Sequence, residues 1–317
     1  MDTFTLFHGS EQIVEAPDLS LGSPHNDYGR GFYCTEIESM ACEWACKKQT
    51  NGFVNRYELD EEWDRKGPVL YVRNRDNGET EKAETGSGID LSFLYSLPGL
   101  EQLTLAAQPM TDTEALRPLT GLKELDLSFC TKLTDLSAIA GMQNLEKLAL
   151  NRCSGIKSLD GIGIMNRMRE LNLNGTNITD LSILAQWDFH HAAENGGFNL
   201  SIDNKKIKDF SFMSGIGRFS WLGMGGIDPN KWIKYVSSAQ IEGIFMGGVT
   251  QKGLNEFIEN HPEIGNLHIQ NSPKVTDLSM LQGLRNLWYL KISSNMKKAR
   301  QTLDGWTWTF QLDVEGE

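Results

Sequence analysis

The side chains of this 317-residue chain that could do chemistry fall into a few groups. Cys34, Cys42, Cys46, Cys130 and Cys153 could bind metal or form disulfides. Cys42 and Cys46 are one helical turn apart and no CxxC pair occurs. Cys130 and Cys153 take the same place in two successive segments, so the pattern predicts structural thiols and no metal site. His190-His191 lacks a third ligand at metal spacing. Met224-Gly225-Gly226 and Met246-Gly247-Gly248 could cradle a phosphate, but they recur at one position of a repeating unit, where a turn is the simpler reading. Trp221, Phe245, His268, Tyr289 and Lys291 fall between apolar core positions, on the open side of short strands. Aromatic groups held on a rigid sheet are the chemistry of protein–protein anchoring. They could equally cover a curved sheet, or contact the ends of the chain.

The elements that must position these aromatics repeat. Leu122-x-x-Leu125-x-Leu127, Leu145-x-x-Leu148-x-Leu150, Ile264-x-x-Leu267-x-Ile269 and Leu287-x-x-Leu290-x-Ile292 share one apolar pattern. Registered on the first apolar position, the units begin at Leu100, Leu122, Leu145, Met168, Gly197, Phe219, Ile241, Ile264 and Leu287. The steps are 22 or 23 residues except for one of 29 before Gly197, where Gln186 to Asn195 adds a turn of helix or a bulge. That period is the signature of a leucine-rich-repeat solenoid. The expected fold is α/β, with a parallel concave sheet and a convex side of short 3₁₀ or helical turns, since the period leaves no room for a long helix. Thr134-Asp135-Leu136-Ser137 and its equivalents at 179–182, 208–211 and 276–279 would cap those turns, with the apolar residue plugging the core. This phrase resembles the short repeats of internalin-type bacterial proteins. The repeats span 89–295. A polar linker occupies 76–88, and 296–317 is expected to be a C-terminal cap, with a last strand over Trp306 to Leu312.

Residues 1–75 read as a small α+β head. Phe4 to His8, Gly31 to Thr35, Phe53 to Leu59 and Pro68 to Val72 alternate or run apolar like strands, and Glu36 to Lys48 has helical spacing. Leu6-Phe7-His8-Gly9-Ser10, Asp27-Tyr28-Gly29-Arg30-Gly31-Phe32-Tyr33-Cys34-Thr35 and Trp44 together resemble the first half of a His-Tyr-Glu ADP-ribosyltransferase domain. The resemblance is greatest to the bacterial DUF3990 type. It covers about residues 4–72, less than a quarter of the chain. It implies NAD as cofactor, with His8 on a ribose hydroxyl, the Gly9 backbone on the nicotinamide amide, Tyr33 stacked on the ring and Trp44 closing its other face. His8 and Tyr33 would then be the catalytic pair. The glutamate that this class places on a later strand has no counterpart after residue 72, where the repeats begin, so the head reads as truncated. Taken without the resemblance, His8 reads as a core or surface histidine, Tyr33 and Trp44 as core aromatics, and Gly29 and Gly31 as turn residues.

Composition bounds the rest. The net charge of −12 argues against nucleic acid or an anionic membrane as partner. No apolar run is long enough to span a bilayer, and the N-terminus lacks a secretory signal, so a cytoplasmic protein with reduced thiols is expected. Two functions follow: a module that binds a protein partner on its concave face, or an NAD-dependent ADP-ribosyltransferase whose repeats recruit the target.

Overall fold

The computed structural model describes residues 100–306 and 310–315 in full, and residues 4–10, 53–59 and 69–71 as backbone strands. Strand β1 (Phe4–Ser10) pairs antiparallel with β2 (Phe53–Leu59) as a separate two-stranded sheet. The expected strand at 31–35, the helix at 36–48 and the linker at 76–88 lie outside the described residues.

The remaining strands form one long parallel sheet. In chain order they are β3 (Val69–Tyr71), β4 (Gln102–Thr104), β5 (Glu124–Asp126), β6 (Lys147–Ala149), β7 (Glu170–Asn172), β8 (Phe198–Ile202), β9 (Arg218–Met224), β10 (Gln240–Ile241), β11 (Gly243–Gly247), β12 (Asn266–Gln270), β13 (Tyr289–Ser293) and β14 (Gln311–Glu315). Each pairs with the next in sequence, except that β10 and β11 both lie against β9 and form one interrupted rung. The chain is a leucine-rich-repeat solenoid. Its register shows why the apolar pattern recurs. Leu103, Leu125, Leu148, Leu171, Leu200, Leu222, Ile244, Leu267, Leu290 and Leu312 stand side by side in one row. All but the last are buried. A single short strand cannot bury its own apolar side, and stacking turns that side into a continuous core.

Each rung leaves the sheet through a tight turn. Ala107, Phe129, Arg152, Gly175, Gly226, Gly248 and Asn271 occupy the same place in it, all with φ between 47° and 73°. The two Met-Gly-Gly segments are therefore the ends of β9 and β11 running into turns at Gly226 and Gly248. Behind them, the Cys130 and Cys153 thiols donate hydrogen bonds to the carbonyls of Leu105 (3.1 Å) and Leu127 (2.9 Å), one rung back. Burial pushes the Cys130 thiol up to about 11 and Cys153 to about 12, which keeps both protonated and unreactive.

Most outer turns are 3₁₀ segments, at Ser137–Gly141, Ser182–Gln186, Ser211–Gly215 and Ser279–Gly283. In each, an aspartate carboxylate one residue ahead of the capping position accepts the serine backbone N–H. The pairs are Asp135–Ser137, Asp180–Ser182, Asp209–Ser211 and Asp277–Ser279, at 2.7–2.8 Å. That bond holds the Asp135, Asp180 and Asp209 carboxyls below the usual range. Leu136, Leu181, Phe210 and Leu278 fill the core behind them.

Three features depart from the sequence expectation. The convex side does hold a long helix. It follows α1 (His190–Glu194) and α2 (Pro229–Trp232) as α3 (Gln251–Asn260), ten residues inside a 23-residue repeat. At 1.5 Å per residue it is only about 15 Å long, which fits the return path. Thr250 caps it through Gly253 N–H (3.1 Å), and Leu254, Phe257 and Ile258 bury one side. Next, the irregular fifth rung places Phe198, not Gly197, in the first core position, through a bulge between Phe198 and Asn199. Finally, the last described strand is Gln311–Glu315, which runs past the expected end at Leu312, while 307–309 of the expected strand lie outside the described residues. It runs parallel to β13 with Gln311 opposite Tyr289, one repeat of 22 residues on, after α4 (Lys297–Gln301). The parallel register sets Leu312 beside Leu290 and Val314 beside Ile292 as its inward residues.

Candidate functional site

The open side of the sheet carries rows of outward residues. One row runs Gln102, Glu124, Lys147, Glu170, Asn199, Trp221, Gly243, Asn266, Tyr289, Gln311. The adjoining row runs Thr104, Asp126, Ala149, Asn172, Ser201, Gly223, Phe245, His268, Lys291, Asp313. All five residues singled out from the sequence, Trp221, Phe245, His268, Tyr289 and Lys291, lie in these two rows. The structure brings them together. His268 is the hub: its ring lies 5.1 Å from Trp221, 6.3 Å from Phe245 and 5.1 Å from Tyr289, centroid to centroid.

Contact between Trp221 on β9 and His268 on β12 has to cross β11, and glycines make that crossing possible. A Cβ on Gly243 would stand 2.7 Å from the Trp221 ring, and one on Gly223 would stand 3.1 Å from its Nε1. A Cβ on Gly225 would stand 3.4 Å from Phe245 and 3.2 Å from Asp203. The rings therefore lie on a floor of bare backbone. Trp288, exposed at the rim, lies over Gly265 in the same way and packs on Tyr289 at 5.8 Å. Sequence reading missed this floor and Trp288. Their signal was a glycine at an outward strand position two residues from an aromatic, as in Trp221-x-Gly223 and Gly243-x-Phe245.

Polar groups frame the rings. Tyr289 donates its hydroxyl to Asp313 (2.8 Å), and Lys291 pairs with the same carboxylate (3.1 Å). The Tyr289 bond, then that of Lys291, holds the Asp313 carboxyl below its usual range. Burial, with Lys291 next, lowers His268, so its imidazole is neutral at pH 7. Gln270 Nε2 donates to both oxygens of Glu315, each at 2.8 Å. Trp221, Phe245, His268, Gln270, Lys291 and Glu315 line a depression of about 190 Å³. A second, of about 200 Å³, lies over the early rungs, with Lys147 paired to Glu124 at 2.6 Å and with Asp126 and Glu170 at its walls.

The candidate residues of the head are less completely placed. His8 and Gly9 lie on β1, opposite Asn55 and Val54 of β2. Glu58 lies opposite Thr5, three register positions from His8. Tyr33 and Trp44 are outside the described residues. Among the described residues no group of three or more His, Cys, Asp or Glu could hold a metal ion, and no helix is long and apolar enough to cross a membrane.

Comparison with known proteins follows the same division. Residues 4–81 match the family model described as a protein of unknown function, DUF3990. No curated protein matches the chain. Among solved structures it is similar to an internalin (inlF) from Listeria monocytogenes, at 18% identity and a TM-score of 0.49 over 81% of this chain and 85% of that one. It is also similar to an internalin C2 (inlC2) from the same organism, at 21% identity and a TM-score of 0.30 over 64% of this chain and 66% of that one. A leucine-rich-repeat protein of Leptospira interrogans gives 12% identity and a TM-score of 0.24 over 80% of this chain and 92% of that one.

Proposed function

We propose that the solenoid is a protein-binding module and that Trp221, Phe245, His268 and Tyr289 form its anchor on the concave face, with Lys291 at the edge. The observation that carries this reading is the glycine floor. Glycine inside a strand weakens it and marks places where something must come close to the backbone. Here Gly223, Gly225 and Gly243 let two large rings lie against the sheet, fixed in position yet still half exposed. Rigid aromatics presented this way lose little further entropy on binding, which is what a hot spot requires. Trp221→Ala and Tyr289→Ala should each weaken capture of a partner by at least about 30-fold, the size of an ordinary hot-spot truncation. Ile164→Ala, an exposed apolar residue outside the strands, should leave capture unchanged. Undiminished capture by both aromatic variants would move the site elsewhere.

The β1–β2 pair supports a second reading, in which the head is an ADP-ribosyltransferase that holds NAD at His8 and Gly9 beside Tyr33 and Trp44 and uses the repeats to select its target. The sequence match over residues 4–81 favours a conserved head of some kind. His8 and Gly9 are on one described strand, and among the described residues they stand opposite Asn55 and Val54 rather than a carboxylate. About 1 mM NAD should raise the melting temperature if the head holds it, because a ligand bound by the native state alone stabilises that state, and no rise with no loss of NAD in lysate would remove this reading. A rise, together with NAD consumption in lysate, would establish the enzyme.

A further inference from the structure

We propose that the depression between Trp221, Phe245 and Glu315 takes an arginine side chain from an extended basic segment of the partner. This rests on the interaction reading above and names the chemistry of the ligand. The outward face carries two lysines, and both are neutralised within the fold, Lys147 by Glu124 and Lys291 by Asp313. Among the described residues Asp126, Glu170, Asp203 and Glu315 on the same face have no cationic partner within 4 Å. An acidic segment would meet that negative field, which Lys291, also lining the depression, offsets only in part at Glu315. An apolar plug would strip water from Glu315 and leave it unpaired. A cation restores the balance.

Local geometry selects the kind of cation. The two Gln270–Glu315 hydrogen bonds fix the carboxylate at the edge of the depression, oriented before any ligand arrives. The Asp203 carboxylate accepts the Gly175 N–H (2.8 Å) and lies outside the depression, so Glu315 is the carboxylate that a planar group over the rings meets. Guanidinium is flat, weakly hydrated and forked. It can stack on Phe245 and Trp221 while donating to a carboxylate at its edge, whereas an ammonium is a strongly hydrated point charge. His268, between the rings, is neutral and adds no repulsion. The parallel strand rows run past the depression, so a partner chain lying along them would present alternate residues to the face.

The test uses the full chain and three labelled decapeptides of Gly and Ser carrying Arg, Lys or Gln at alternate positions, read by fluorescence anisotropy at low and high salt. The Arg peptide should bind at least about tenfold tighter than the Gln peptide and measurably tighter than the Lys peptide. Glu315→Gln should remove about tenfold of that affinity, and Glu194→Gln, an exposed carboxylate off the strands, should remove none. Equal binding of the Arg and Gln peptides, a Lys peptide as tight as Arg, or an inert Glu315→Gln would each overturn the assignment. If Trp221→Ala abolishes partner capture while the Arg peptide shows no preference, the module stands and the arginine falls. If Trp221→Ala changes neither, the anchor itself falls.

Discussion

Gly197→Ala should be among the most damaging methyl additions in the chain, lowering unfolding stability by about 3–5 kcal/mol from the sum of backbone strain and overpacking. Gly197 leads from α1 into β8 with φ of 107°, a region closed to residues with a Cβ. The added carbon would stand 2.6 Å from the backbone nitrogen of Ser220 and 3.0 Å from the carbonyl carbon of Phe219, on the next rung. Neither atom can move without breaking the β8–β9 pairing. Its neighbour supplies the control. Gly196 has φ of 101° but nothing within 4 Å of a built Cβ, so Gly196→Ala meets the strain alone, about 1–3 kcal/mol. Urea unfolding of both variants separates the two terms. Equal losses would show that β9 yields, and that contact with it does not set the requirement for glycine at 197.

The repeat could be read from sequence because its cause is local: each strand carries three inward apolar residues, and Leu122, Leu125 and Leu127 announce them without reference to any neighbour. The outward placement of the aromatics was legible for the same reason, since Trp221 and Tyr289 fall between core positions. What lies beneath the aromatics was not. Gly243 matters because it sits beside Trp221, two strands of one sheet whose register is set by the whole stack. No property of Gly243 alone reports that. Glu315 was hidden likewise: the expected last strand ends at Leu312, and only the pairing of β14 places Glu315 beside the ring cluster and against Gln270. The helix α3 is a different kind of miss. Thr250 as cap and Leu254, Phe257 and Ile258 at helical spacing were present, and an argument from repeat length overrode them.

The seam at the fifth rung also governs how the solenoid unfolds, and Phe198→Ala should expose this. Phe198 is fully buried and its ring bridges Phe189 (4.8 Å) and Phe219 (6.4 Å), joining the inserted segment to the following rung. Truncation of a buried phenylalanine costs about 3–5 kcal/mol. Leu148→Ala in a regular rung should cost about 2–5 kcal/mol, so magnitude alone does not distinguish them. Cooperativity does. Strand pairing joins each rung only to its neighbours, so backbone coupling between the two ends passes through every interface in turn. At a regular interface the next rung repeats the same apolar contacts. At β7–β8 the spacing is 29 residues, the register shift follows directly between β8 and β9, and the aromatic stack is what fills the extra space. Calorimetry of Phe198→Ala should therefore show two transitions, with β4 to β7 separating from β8 to β14, whereas Leu148→Ala should shift a single one. One sharp transition in both would mean that the backbone ladder across β7 and β8, with the Arg169 hydrogen bonds to Asn195 and Asn199 beside it, carries the coupling without the rings.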